Sequence, residues 1–141
     1  MTAAAAERSA PRARIVALLV LAAVAASAAV TSAIALVAHA TGAGEGFAPL
    51  QPQIYLTFAV VGTLAALGGW VLIVRFVARS ARLLRVLVPV LVVLSLVPDV
   101  VLLVTGFIPG STPAGVVALM LMHPVVAASA VLTGQRIAPA R

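Results

Sequence analysis

Residues 86–104 read VLVPVLVVLSLVPDVVLLV, and apart from Pro89, Ser95, Pro98 and Asp99 every position is valine or leucine. A surface helix of a soluble domain would show one polar face, and this run has none. About 20 such residues suffice to cross a hydrocarbon core, so the stretch reads as a transmembrane helix, ending at Val104 or running on to Ile108 before the turn at Pro109 and Gly110. One aspartate does not forbid insertion. It costs roughly 2.5 to 3.5 kcal/mol near the centre, against roughly 0.3 to 0.6 kcal/mol in favour from each valine or leucine.

Working outward, three more runs have the same character: Ile15–Ala38, Ile54–Val74 and Pro113–Thr133. The last has recognisable ends, with Ser111 or Thr112 as N-cap, Pro113 at the first helical position and Gly134 just past the last apolar turn. A cleaved signal peptide is the rival reading of the first run, since Arg12 and Arg14 precede it and Ala26, Ser27 and Ala28 form a small-residue site. The run continues well past that site, beyond an h-region of about 7 to 15 residues, which favours a retained anchor. Between the first two runs, residues 39–53 carry Gly42, Gly44, Gly46, Pro49 and Pro52, the composition of a turning loop. Tyr55 and Trp70, near opposite ends of the second run, suit the two water interfaces.

The expected architecture is therefore all-α: an integral membrane four-helix bundle forming a single domain over residues 1–141, with a basic N-terminal tail over 1–14. All nine basic residues are arginine. Arg8, Arg12 and Arg14 precede the first run, Arg75, Arg79, Arg82 and Arg85 separate the second from the third, and Arg136 and Arg141 follow the fourth. The other two loops have none, the asymmetry expected when both termini and the middle loop of a multi-pass cell-membrane protein are cytoplasmic. If the second helix ran on past the membrane, Arg75, Arg79 and Arg82 would share a face, and the cluster Arg75, Arg79, Arg82 and Arg85 is the candidate contact for anionic lipid.

Composition excludes much else. The chain has 141 residues, 64% hydrophobic and 9% charged, too few polar groups for a soluble surface. The net charge of +6 does not indicate nucleic acid, because the arginines flank apolar runs without interleaved aromatics. With no cysteine, thiolate metal sites and thiol catalysis are absent, and no zinc spacing, phosphate loop, nucleophile elbow or paired carboxylate occurs. No cofactor and no catalytic residue are expected.

Two ionisable residues within the spans stand out, Asp99 and His123. The third and fourth helices are joined by a short turn and should be antiparallel neighbours; with the third extended to Ile108 the two side chains come level, which suggests a hydrogen bond between them. Pro98 precedes Asp99 and Pro124 follows His123, and each proline is expected to kink its helix and free a carbonyl, of Leu94 and of Met120. The sequence also resembles the small actinobacterial four-helix membrane proteins classed only as a domain of unknown function. The features that carry the resemblance are the basic tail, the alanine- and valine-rich first helix, the Gly/Pro loop, the arginine-bearing middle loop, SLVPD at 95–99 and ALMLMHPVVAASAVL at 118–132. It implies the topology and assigns no functional residue. It also implies an aliphatic residue where this chain has Pro124, so a straight fourth helix is not expected.

The function expected from these readings is that of a non-enzymatic structural or accessory membrane protein, assembling with itself or with another membrane protein. The alternative is a small carrier or channel using Asp99 and His123 in a polar path.

Overall fold

The computed structural model describes residues 3–141, and side chains from Arg12 onward; Met1, Thr2 and the side chain of Arg8 in the expected basic tail lie outside the described residues. The elements are α1 (Ala3–Ala40), α2 (Pro52–Phe76), α3 (Ser80–Ser95), α4 (Val97–Thr105) and α5 (Pro113–Ile137), with a 3-10 turn at Ala48–Leu50. Four stretches are long and apolar enough to cross a membrane: Arg12–Ala40, Pro52–Phe76, Ser80–Thr105, in which α3 and α4 follow one another, and Pro113–Ile137.

The distribution of burial is that of a bundle whose outer surface meets lipid. The buried positions are largely small or hydroxylated, with Ser27 and Thr63 at 0% exposure, while large apolar side chains point out, Phe58 at 72% and Val104 at 80%. A soluble protein of this size would bury the second group. Along α1 the inward stripe is Ala23, Ser27, Thr31, Ala35 and Ala38, at helical spacing. Small side chains let backbones approach, and α1 packs along both α2 and α5. Between α1 and α2 the Thr63 hydroxyl donates to Ser27 Oγ at 2.9 Å, and Thr31 returns its hydroxyl to the Ser27 carbonyl at 2.8 Å.

The loop end of the bundle is closed by residues 41–50, which do more than turn the chain. Phe47 and Leu50 plug the end of the bundle, almost fully buried. Gly110 lies so close to the Gly46–Phe47 backbone that a Cβ there would stand 2.5 Å from Gly46, and its φ of +75° suits glycine alone. Thr112 caps α5 by accepting from the Gly115 N–H at 3.0 Å and donates its hydroxyl to the Ala43 carbonyl at 3.1 Å.

Several expected boundaries shift. Helix α1 begins at Ala3, not Ile15, since the alanine-rich tail is strongly helix-forming. The third span ends at Thr105, where Gly106 takes the left-handed conformation at φ 60°, and does not reach Ile108. Gly134 does not stop α5, which runs to Ile137; its missing side chain makes room for the Trp70 ring, which a Cβ would approach to 2.7 Å. Trp70 and Tyr55, near opposite ends of α2, are buried against the protein: the Trp70 indole N–H donates to the Ala138 carbonyl at 2.9 Å, and the Tyr55 hydroxyl donates to Ser32 Oγ at 3.2 Å.

At the other end, α2 stops at Phe76 and α3 starts afresh at Ser80, so Arg75, Arg79 and Arg82 do not share one continuous helix. The new start is held by Arg141, whose backbone oxygen accepts from the Ala81 N–H at 2.8 Å while Ser80 Oγ accepts from the Arg141 N–H at 3.0 Å. The Ala81 N–H, a donor that a continuous helix would satisfy internally, is met there by Arg141.

Candidate functional site

The third span is interrupted where its sequence reads SLVPD. Pro98 has no N–H to give the Leu94 carbonyl, and the chain responds one turn early: the Leu96 N–H tightens onto Val93 at 3.1 Å, and α4 begins at Val97. Pro98 thus stands in the first turn of a new helix, where proline is tolerated, and Asp99 follows it in that turn. A break inside an apolar span has put a carboxylate at the positive end of a helix. Pro124 lies within α5, which runs on through it, whereas Pro98 stands at the start of α4.

The structure brings Asp99 and His123 together. Asp99 is 8% exposed, and its Oδ2 lies 3.4 Å from His123 Nδ1. The closer partner of Nδ1 is the Leu119 carbonyl one turn back, at 3.0 Å; a carbonyl only accepts, so the proton is assigned to Nδ1. The buried Oδ2 therefore faces an imidazole N–H already directed elsewhere and has no hydrogen-bond partner of its own. Counted at about 1.5 Å per residue, Asp99 lies roughly 9 Å from Thr105 and His123 roughly 15 Å from Pro113. The connection over residues 106–112 takes up the difference that an extension to Ile108 would otherwise supply.

Both residues line a cavity of about 700 Å³ between α2, the third span and α5. It runs from Tyr55 and Phe107 near the loop end to Trp70 and Leu84 near the arginine end, and its walls are apolar apart from Asp99, His123 and a few hydroxyls. Whereas α1, α2 and α5 pack along their lengths, α3 meets α2 over a short stretch only, and the space between them is this slot. Sequence reasoning missed it. The signal for the helix start was present, a proline and an acid just after Ser95, but it reads equally as a kink.

Arg75, Arg79, Arg82 and Arg85 stay apart from this pair. All four are exposed at the end opposite the glycine loop, with the Arg75 guanidinium 5.9 Å from the centroid of the Phe76 ring. Arg136 and Arg141 are exposed as well. Among the described residues no group of three His, Asp or Glu side chains is placed to hold a metal ion. The site's own chemistry amounts to one carboxylate and one imidazole beside hydrocarbon walls.

Comparison with known proteins returned no match among curated proteins and none among solved structures. Residues 8–140 match the family of unknown function DUF6069, and the chain belongs to that family.

Proposed function

We propose that this family member is a non-enzymatic structural or accessory protein of a bacterial cytoplasmic membrane, of the actinobacterial kind its sequence resembles, with both termini cytoplasmic. The observation that carries the reading is the burial pattern: many small and hydroxylated side chains lie inside with a minority of large ones, while exposed leucine, valine and phenylalanine cover the four spans. The Asp99 carboxylate and the N–H edge of the His123 ring, 3.4 Å apart, join α4 to α5 by electrostatic attraction without a hydrogen bond between them, and they form no reaction centre. A single acid and a single imidazole already committed to a backbone carbonyl supply too little for chemistry. The carrier or channel alternative draws no support from the site, because the pair opens on an apolar slot rather than on a polar path.

Orientation follows from the arginines. Those after α2, in α3 and at the end of α5 lie at the end where α1 starts, and cytoplasmic retention of arginine places that end inside, against anionic headgroups. Self-assembly or a membrane-protein partner would use the exposed apolar faces. The cysteine-free chain makes the test direct. Glu45, Ala78 and Gln135 are exposed, and single cysteines there should react with a membrane-impermeant thiol reagent in intact cells at position 45 alone. Reaction at 78 and 135 without 45 would invert the topology, and reaction at all three would remove the membrane reading.

A further inference from the structure

We propose that residues 138–141 are a strap that holds α3 to the rest of the bundle, and that α3 is a movable arm, which swings out about the break at Leu96 when the strap lets go and so opens the arginine end of the slot. Neither part depends on which side of the membrane the termini lie.

The arm is delimited by two interruptions of the backbone. At one end α2 stops at Phe76 and α3 begins at Ser80. At the other, Pro98 offers no N–H to the Leu94 carbonyl, and α4 starts again at Val97. A helix bends most cheaply where its hydrogen-bond ladder is already broken, so α3 can tilt as a rod while α4 stays beside α5 through Asp99 and His123. Little else detains it. α3 meets α2 and α5 over short stretches, and among the described residues its hydrogen bonds to distant parts of the chain all go to Arg141.

The strap is anchored at both ends. Beyond Ile137, where α5 finishes, the Ala138 backbone is extended at φ −142° and ψ 90°, and its carbonyl accepts from the Trp70 indole of α2 at 2.9 Å. Three residues on, Arg141 makes its two backbone bonds to Ser80 and Ala81 at the start of α3, and Ser80 is fully buried beneath them. One short segment thus ties α5, α2 and α3 together at the end of the slot that Trp70 and Leu84 line. The slot is shut beside it and open further along: Leu84, one turn past Ser80, is 5% exposed, whereas Leu91, two turns later on the same wall, is 53% exposed. At about fivefold for each hydrogen bond, the two bonds of Arg141 favour the docked arm by about 25-fold, enough to hold it and little enough to release it.

The test reads the reactivity of a buried thiol in the cysteine-free chain, held in lipid nanodiscs so that both membrane faces meet solution. Leu84→Cys places the thiol on α3 between Arg82 and Arg85, at the level of the membrane surface. Leu50→Cys, fully buried at the opposite end of the bundle, is the reference. A water-soluble maleimide should modify position 84 slowly in the full-length chain, about 25 times faster when residues 139–141 are deleted, and about five times faster with Ser80→Ala, which removes one of the two bonds. Position 50 should keep its rate in all three. An unchanged rate at position 84 on deletion overturns the proposal, as does a thiol there that already reacts in the full-length chain as fast as one at exposed Ala78. Equal acceleration at positions 50 and 84 overturns it too, since the segment would then hold the bundle as a whole rather than one arm.

Discussion

Helices α1, α2 and α5 form a close trio, whereas the third span leans on α5 and stands off α2. Both regions are apolar throughout, so hydrophobicity does not separate them. Side-chain size does. Where α1 meets its neighbours the residues are alanine, serine and threonine, and backbones come near enough for Thr63 to reach Ser27. The third span is built of valine and leucine, with Leu91, Val93, Leu94 and Val104 among its exposed side chains. Lipid tails are as apolar as leucine, so bulk alone gives helices no reason to associate; packing and hydrogen bonds do. The third span has few of either, and Asp99 meeting His123 is a specific contact in its second half.

Substitutions can break or sharpen that contrast. The largest effect is expected in the closed end of the trio: Gly110→Ala forces a side chain into a positive φ and against the Gly46 backbone, and should cost about 3 kcal/mol in reversible unfolding in lipid or detergent. A loss below about 0.5 kcal/mol, the usual range of an indifferent surface change, would mean the end is not closed as described. Next, Thr63→Val keeps the shape and removes the bond to Ser27, for an expected loss of about 1 kcal/mol by the same measurement. No change would leave small-residue packing to hold the trio alone. The smallest effect belongs to the slot wall, where Gly69→Ala meets open space. Unfolding should show anything from no change to a gain of about 1 kcal/mol from helix propensity. A clear loss there would close the gap between the two regions.

How much of this was legible in the sequence follows from the same physics. The four apolar stretches were, because length without charge is all a span requires. So was the start of α5 at Pro113, with the cap narrowed to Ser111 or Thr112, of which the structure uses Thr112, because that chemistry is local. The direction each helix faces was not. In a soluble helix polar residues mark the outside, but here lipid and interior are both apolar, and Trp70 and Tyr55, read as interface anchors, turn inward to Ala138 and Ser32. Gly134 read as a stop because glycine ends helices, and it proved to be a seat for an indole across the bundle, a long-range fact with no local sign. Asp99 and His123 were singled out because charge inside a span is costly anywhere. That Pro98 opens a helix while Pro124 lies within one depends on neighbours the local sequence does not display.

The central claim is that the third span is fastened to α5 by Asp99 and His123 rather than by general packing. A double-mutant cycle tests it: unfolding free energies of the parent, Asp99→Leu, His123→Leu and the double variant, measured in one lipid or detergent condition. The account predicts that either single change destabilises more than both together, with a coupling energy of at least about 0.5 kcal/mol. Strict additivity would contradict it and leave the two residues as neighbours that do not act on one another.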